Sequence, residues 1–514
     1  MSDERELIAE RERKVNELRQ AGQNPYANGF SPTHTAGDVH AWFAAGNVPG
    51  ANPLTDEPKA ARFSIAGRIV AWRSFGKAAF AKVRDRSGEI QVWVKQDVVG
   101  EKTYALWRAM ERGDFIGAVG PAVITKTGEQ TILAEQLVVL TKAVRPLPEK
   151  FHGLQDMEIR YRQRYVDLVS NPEVREVFLK RTAIVKHLRR FLDARDFVEV
   201  ETPSMHTILG GAAARPFRTH HNALDMDLTM RIAPELHLKR LVVGGFDRVY
   251  EIGRNFRNEG LSRQHNPEFT MLEFYQAYAT YEDLMNLTQE LFAELARELC
   301  GGPVISYGGT QVDLGAFERI PMKDAIVMAV GKGILPAGLE RPMLDDEAAL
   351  LKWIADSGAS ERKDELAAVL RKCESHGHRV GALFDYGGEL ALPPEKPVFV
   401  VEYPAETSPL SRRNDADPTK VDRFELFIVG REHANAFSEL NDPADQRARF
   451  QRQVEAKAKG AEETMDYDED YCRALEYGLP PTAGEGIGVD RLVMLLTDQA
   501  SIRDVILFPL MRPE

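Results

Sequence analysis

The segment at residues 248–278 constrains the fold more than any other part of the chain. It reads RVYEIGRNFRNEGLSRQHNPEFTMLEFYQAY, so two apolar runs flank a polar loop that Pro267 closes. This pattern predicts two antiparallel strands joined by a loop that can close over a ligand. Arg254 and Arg257 lie near the end of the first strand, where a guanidinium on a rigid backbone can clamp a phosphate. A solvated hairpin with surface arginines is the alternative.

A second constraining segment lies near the C-terminal end and reads GEGIGVDRLVMLL. Its glycines, Gly484, Gly486 and Gly488, allow another group to approach the backbone closely. Arg491 then falls in the first turn of an apolar helix, where the helix dipole disfavours a cation. It therefore needs an anionic partner, and a triphosphate would serve. A tight turn before a core helix is the alternative, and the lack of a βαβ context argues against a dinucleotide fold.

Composition excludes several classes of protein. The chain has 514 residues and a net charge of −12, whereas proteins that coat nucleic acid are usually basic. Its three cysteines are far apart in sequence and form no metal or disulfide pattern. No apolar run approaches the roughly 20 residues that a membrane span needs, and the charged N-terminus has no signal-peptide pattern. We therefore expect a cytoplasmic protein without membrane contacts, in which any RNA contact is local.

Three regions are expected along the chain, and together they predict an α+β fold. Residues 1–55 read as a charged helix and a linker. Residues 56–145 contain short alternating strands that fit a five-stranded barrel of the OB type, which commonly binds single-stranded nucleic acid. Residues 146–514 mix helices with strands, and the part at about 320–395 matches no motif and reads as an insertion.

The two constraining segments resemble motifs 2 and 3 of the class II aminoacyl-tRNA synthetases, and EVETP at 199–203 resembles motif 1. The OB-type barrel narrows the resemblance to the subgroup for aspartate, asparagine and lysine. The resemblance implies an N-terminal anticodon-binding OB-fold barrel and a catalytic domain on a mostly antiparallel β-sheet flanked by helices. It also implies ATP and tRNA as substrates, Mg²⁺ as cofactor, and a homodimer whose interface motif 1 builds.

The choice of amino acid can be argued physically. A site for lysine must bury an ammonium, which is costly unless carboxylates pair with it, whereas an aspartate site needs cations. Glu235 lies in APELHLKR, where the aspartate and asparagine relatives usually carry glutamine. The resemblance therefore implies activation of L-lysine by ATP to lysyl-adenylate and pyrophosphate, and transfer of lysine to the 3′ end of tRNA(Lys).

The lysine site that the resemblance implies has an acid for each ammonium. Glu439 would hold the ε-ammonium and Glu273 the α-amino group, and for any single glutamate an ordinary ion pair is the alternative. The full set is Gly211, Glu235, Glu273, Tyr275, Asn435, Phe437 and Glu439.

The resemblance also implies the residues for ATP and metal. Arg257 and Arg491 are the expected catalytic residues, and Glu425 and Glu432 the expected Mg²⁺ ligands. Those two acids have an odd spacing, which would place them on opposite faces of a regular strand, so a turn or bulge at Gly430 is expected to bring them together. Two solvated strand glutamates are the alternative. The ATP-binding set is Arg257, Glu259, His265, Phe269, Glu432 and Arg491.

In the barrel, Arg68, Phe80 and Gln91 match the anticodon-contact positions of the subgroup. An exposed Phe80 would stack on a base, and Gln91 would read a base edge. A core position for Phe80 is the alternative.

Three other proteins would share parts of this pattern. A paralogue that lysylates a protein would lack the barrel, and an aspartate or asparagine enzyme is disfavoured by Glu235 and Tyr275. A non-catalytic RNA-binding relative predicts the loss of Arg257, Glu432 or Arg491, all of which are present. Four residues depart from the family pattern without a predicted role, namely His433, Ala434, Ala436 and Glu485.

Overall fold

The chain divides into two compact units, Met1–Gln155 and Asp156–Glu514, and each has its own apolar core. None of the described helices is long and apolar enough to cross a membrane. The computed structural model describes residues 2–47, 61–148, 154–212, 214–356, 361–458 and 465–513.

The N-terminal unit combines short helices with a sheet. Its described helices are α1 (Ser2–Gln20), α2 (Ala36–Ala44), α3 (Gln96–Val99) and α4 (Glu101–Arg108). Its described strands are β1 (Arg62–Phe75), β2 (Ala78–Arg84), β3 (Glu89–Lys95), β4 (Phe115–Ile124), β5 (Gln130–Leu133) and β6 (Gln136–Thr141).

These strands form a barrel of order β1-β2-β3-β5-β4-β6, which the additional pairing of β1 with β4 closes. β1 is 14 residues long. Its first half, residues 62–68, pairs with β4, and its second half, residues 68–75, pairs with β2, with a register shift between Ile69 and Ala71. Residues of β2 and β3 alternate between buried and half-buried, so one row fills the core and the other faces outward. The predicted OB-type barrel is confirmed, with six described strands in place of the expected five.

The C-terminal unit carries more elements. Its described helices are α5 (Met157–Arg162), α6 (Arg164–Ser170), α7 (Pro172–Asp193), α8 (Glu235–Val243), α9 (Tyr281–Cys300), α10 (Met322–Gly331), α11 (Glu347–Asp356), α12 (Glu361–Lys372), α13 (His376–Leu383), α14 (Glu389–Ala391), α15 (Pro443–Ala458), α16 (Glu469–Glu476), α17 (Val489–Leu496) and α18 (Ile502–Val505). Its described strands are β7 (Val198–Glu199), β8 (Met205–His206), β9 (Arg218–His221), β10 (Met226–Met230), β11 (Arg248–Phe256), β12 (Glu268–Ala277), β13 (Val304–Tyr307), β14 (Thr310–Asp313), β15 (Glu318–Pro321), β16 (Val398–Val401), β17 (Arg423–Ile428), β18 (Arg431–Ser438) and β19 (Thr482–Gly488).

The main sheet has the order β15-β16-β17-β18-β19-β12-β11-β7. Its strands are antiparallel from β16 to β11, and only the pairs at the two edges are parallel. Helices α7, α9 and α17 bury their apolar faces against one side, where Leu272 and Phe274 of β12 join the core. Because side chains alternate along a strand, Glu273 and Tyr275 face the other side. The predicted catalytic fold, a mostly antiparallel sheet flanked by helices, is confirmed.

The segment at about 320–395, which matched no motif, is helical where it is described. Helices α10 to α13 build a second apolar cluster around Leu350, Trp353 and Phe384. Val398 and Val400 of β16 belong to the same cluster, so this segment is packed onto the end of the main sheet.

Glu485 of β19 points away from Glu273 and into the helix-covered core. It is only 2% exposed, and both of its carboxylate oxygens lie 2.7 Å from Oγ1 of Thr288 on α9. Burial raises the pKa of Glu485 to about 8, while the Thr288 hydrogen bond opposes the rise. The acid is therefore mostly protonated at neutral pH.

Replacement of Glu485 by glutamine is expected to stabilise the fold increasingly as pH rises. The folded state holds a proton that the unfolded chain releases near the ordinary glutamate pKa of 4.5, so Glu485 reduces the free energy of unfolding as pH rises from about 5 to 8. The reduction is at most about 1.4 kcal/mol per pH unit. Urea unfolding of both proteins at pH 5, 6.5 and 8 tests this. A difference that stays constant with pH would contradict a buried, titrating carboxyl.

Candidate active site

A cavity of about 590 Å³ opens on the face of the main sheet that the core helices leave free. Its floor includes Gly484, Gly486 and Gly488 of β19. A side chain at Gly484 would overlap Tyr275 and Glu439, so this glycine makes room for those two side chains. The predicted residues that line it are Gly211, Glu235, Arg257, Glu259, His265, Phe269, Glu273, Tyr275, Glu432, Asn435, Phe437 and Arg491.

One end of the cavity is acidic. Glu235 and Glu273 line it, and Glu439, which is 1% exposed, does not line it but lies beside the lining residue Gly484. The charges of Glu235 and Glu273 both raise the pKa of Glu439. Burial, together with the charge of Glu235, raises the pKa of Glu273 to about 8. Tyr275 donates a long hydrogen bond of 3.5 Å to Glu273. Three buried carboxyl groups at one place can ionise together only where cations compensate for their charges.

One cation is already built into this end of the cavity. Lys239 of α8 is completely buried, and its Nζ lies 2.6 Å from Oε1 of Glu235, one helical turn earlier. It also forms an ion pair with Glu439. The sequence analysis missed Lys239, although the Glu235–Lys239 spacing of four residues was a signal that the two side chains meet on one helix face.

The other end of the cavity is lined by arginines. Arg257 lies over the ring of Phe269, at 5.1 Å, and its Nε is buried without a hydrogen-bond partner among the described residues. Arg254, three residues earlier, is exposed and lies 3.5 Å from Glu268. Of the two predicted phosphate clamps, the structure therefore brings only Arg257 to the cavity.

Arg491 lies in the first turn of α17, as predicted, and it has one anionic partner among the described residues, Glu432. Its Nη1 donates to the backbone carbonyl of Glu432 at 2.6 Å and lies 3.2 Å from that residue's carboxylate. Its Nη2 is 3.4 Å from Nε2 of His265, a residue of the loop that follows β11. These contacts offset the unfavourable helix dipole and place the guanidinium at the cavity wall.

A two-residue turn at Val429 and Gly430 brings Glu425 and Glu432 to one face of the sheet. Leu426 pairs with Ala434 but Phe427 pairs with Glu432, so His433 is an extra residue on β18. The expected turn lies at Gly430, where Val429 and Gly430 both have positive φ, and a bulge lies at His433 as well. The turn corrects the odd spacing, because it pairs Ile428 with Arg431 and Phe427 with Glu432, and Phe427 shares its face with Glu425.

The two acids have the chemistry of a magnesium site. Burial raises the pKa of Glu425 to about 7, with the charge of Arg423 opposing and that of Glu432 adding to the rise. Glu425 forms an ion pair with Arg423 and accepts from Asn435 at 3.3 Å. Among the described residues no group of three or more acids, histidines or cysteines could hold a metal. Two carboxylates are nevertheless sufficient where phosphate oxygens complete the shell, as Mg²⁺ prefers.

His433 itself is buried, and neither ring nitrogen has a hydrogen-bond partner among the described residues. Burial, with the nearby charges of Arg491 and Arg431, lowers the pKa of His433 to about 3. The imidazole is therefore neutral at ordinary pH.

In the N-terminal unit, the three predicted RNA contacts lie on the outward-facing rows of β1, β2 and β3. Phe80 is half-buried, and its ring stacks on that of Trp93 with centroids 5.4 Å apart, so the core alternative is wrong. Gln91 donates to Thr131 at 2.8 Å. Arg68 lies over the Phe115 ring at 4.3 Å. The sequence analysis missed Trp93, which continues the aromatic surface.

Comparison with known proteins agrees with both units. The family described as "tRNA synthetases class II (D, K and N)" matches residues 156–512, more than two thirds of the chain. The chain belongs to this family. An "OB-fold nucleic acid binding domain" matches residues 63–140 of this synthetase, which confirms the resemblance that the motifs suggested.

Curated relatives cover this class II synthetase from end to end. It is 57% identical over 512 residues to "Lysine--tRNA ligase" of Anaeromyxobacter sp. (strain K), with 99% of this chain and 98% of that protein covered. Identity is 52% over 509 residues to the protein of the same description from Carboxydothermus hydrogenoformans, with 99% and 98% covered. For the one from Dichelobacter nodosus it is 51% over 515 residues, with 100% and 99% covered.

Proposed function

We propose that the chain activates L-lysine with ATP, forming lysyl-adenylate and pyrophosphate, and then transfers lysine to the 3′ end of tRNA(Lys). The curated descriptions of its full-length relatives support this reaction. The observation that carries the choice of lysine is the charge of the acidic end. Glu235, Glu273 and Glu439 supply three carboxylates when ionised, and Lys239 supplies one ammonium.

A bound lysine brings two further ammonium groups, so the three carboxylates meet three cations. Aspartate would instead bring a second carboxylate to a site that already holds three acids, where burial makes an unpaired charge costly. Glu439 and Glu235 would take the ε-ammonium and Glu273 the α-ammonium. Gly211, Tyr275, Asn435 and Phe437 would shape the remaining walls.

In the first step, an oxygen of the lysine carboxylate attacks the α-phosphorus of ATP, and the bond to the bridging oxygen breaks, so that pyrophosphate leaves. The carboxylate is already ionised, so no general base is needed. Catalysis then rests on positioning and on stabilising charge. Arg257 would stabilise the α-phosphate in the transition state. Arg491, with His265, would hold the outer phosphates.

Phe269 and Arg491 would enclose the adenine, and Glu259 would accept from its amino group. Glu425 and Glu432 would hold Mg²⁺, which when bound neutralises charge on the phosphates.

In the second step, the terminal ribose hydroxyl of tRNA attacks the carbonyl carbon of lysyl-adenylate, and AMP leaves. Arg68, Phe80 and Gln91 would bind the anticodon. A homodimer and a cytoplasmic location complete the proposal.

Amino-acid-dependent exchange of pyrophosphate into ATP, measured with each of the twenty amino acids, tests the function. Lysine should support exchange, and aspartate and asparagine should not. Exchange with aspartate would overturn the choice of substrate. No exchange with any amino acid would favour a non-catalytic RNA-binding protein.

Lysine binding at pH 7 is expected to release protons. Because the pKa of Glu273 is about 8, this acid is mostly protonated in the free protein and must ionise to pair with the α-ammonium. Lysine affinity should therefore rise with pH up to about 8 and then level off. Calorimetry in buffers of different ionisation enthalpy measures the protons released. The Glu273→Gln variant should lose the pH-dependent part, and an unchanged slope in that variant would contradict the assignment.

A further inference from the structure

Lys239 is a lysine of the protein itself, buried at the acidic end where the ammonium of a substrate lysine is proposed to bind. Its side chain is fully buried, and burial of an ammonium is costly unless carboxylates compensate for it. Glu235 and Glu439 compensate for it here, one from the same helix and the other from the chain just after β18. The ammonium also lies 5.2 Å from the ring centre of Phe437.

The carboxylate of Glu439 can accept more hydrogen bonds than it does. Its Oε2 is taken by the ion pair with Lys239, whereas Oε1 is buried without a hydrogen-bond partner among the described residues. A carboxylate has about four lone-pair sites. Glu439 can therefore receive a second ammonium, that of a ligand in the cavity, while its ion pair with Lys239 persists.

We infer that Lys239 is a positioning residue, whose ammonium ties Glu235 and Glu439 together and prepares both to receive the side-chain ammonium of the substrate. This inference rests on the proposed function and deepens it, because it names the residue that makes the acidic end ready for a cation. Without Lys239, two neighbouring acids would repel each other, and each would favour its protonated form. A protonated acid attracts an ammonium poorly.

The charges around Lys239 agree with this role. Burial raises the pKa of Glu235 and of Glu439, and the charge of Lys239 is the largest effect that opposes the rise in each. The other ionisable groups that act on this triad come from β12, β17 and α16. They are Glu273, Tyr275, Arg423 and Tyr471.

The test is calorimetric titration of the full chain with L-lysine, and separately with ATP, between pH 6 and pH 9. Lys239→Gln removes the charge but keeps a polar group of similar length. It should weaken lysine binding at pH 7 roughly tenfold or more. A tenfold loss corresponds to a rise of about one unit in the pKa of the acids that receive the ammonium. The loss should shrink toward pH 9 as the two acids ionise, and ATP binding should not change.

Two further variants make the result decisive. Lys239→Arg keeps the charge and should keep the wild-type pH slope, so it decides the question if the glutamine variant does not fold. Lys142→Gln is the matched control, because Lys142 is an equally buried lysine, paired with Asp114 in the barrel, and its loss should leave lysine binding unchanged.

Three outcomes would overturn the role of Lys239. They are wild-type lysine affinity and pH slope in Lys239→Gln, an equal loss of lysine and ATP binding at every pH, and loss of the pH slope in Lys239→Arg. Failure of the proposed function has a different signature, because the wild-type protein would then not bind lysine at all.

Discussion

Replacement of Glu439 by glutamine is expected to abolish lysine activation at ordinary lysine concentrations while ATP binding persists. Glu439 is 1% exposed, and its carboxylate forms an ion pair with Lys239. The amide would remove the negative charge that a second ammonium needs, and it would leave both cations competing for Glu235. Loss of one partner of a buried ion pair costs about 3–5 kcal/mol, which corresponds to a weakening of lysine binding by roughly a hundredfold to several thousandfold.

Lysine and ATP affinities measured separately by calorimetry test this expectation. Glu298→Gln is the matched control, because Glu298 lies on α9 and pairs with Arg190 at the surface, so its loss should change neither affinity. If Glu439→Gln weakened both ligands to the same extent, Glu439 would have a structural role and would not hold the substrate.

Replacement of Arg257 by glutamine should lower the rate of pyrophosphate exchange by roughly a hundredfold to a thousandfold, the loss typical of a group that stabilises transition-state charge. The buried and unpartnered Nε of Arg257 is a donor without an acceptor among the described residues until a phosphate arrives. Because Arg257 is assigned to the α-phosphate and not to the amino acid, lysine binding should persist. Lysine in its place should restore little, since an ammonium lacks the planar fork of a guanidinium.

Arg254→Gln is the matched control for Arg257. Both arginines lie near the end of β11, but Arg254 is exposed and 3.5 Å from Glu268. Exchange kinetics at saturating lysine and ATP should therefore be unchanged in Arg254→Gln. Equal losses in the two variants would show that general positive charge on the hairpin matters, and not the position of Arg257 at the cavity.

The sequence predicted the fold well where one motif fixes one local geometry. Arg491 in the first turn of a helix needed an anionic partner, and the structure supplies Glu432. Gly484 had to leave space, and a side chain there would overlap Glu439. Such features depend on neighbours in the chain or on backbone conformation, and both can be read from a single sequence.

Other features depend on which strands pair, and these were not predictable. The strand pattern did not separate Arg254 from Arg257; only the resemblance chose Arg257, and the structure brings Arg257 and not Arg254 to the cavity. Lys239 was not singled out, because nothing local shows that Glu439, two hundred residues later, pairs with it. Glu485 gave no signal that a threonine on α9 would receive it.

The bulge at His433 has a consequence for how this hairpin can change in evolution. Glu432 shares a face with Glu425 because the two-residue turn at Val429 and Gly430 pairs it with Phe427, and the bulge lies beyond that pair. Deletion of His433 would leave a regular ladder in which Glu432 still pairs with Phe427 and Asn435 still pairs with Glu425. The strand can therefore lose this one residue without moving either proposed metal ligand.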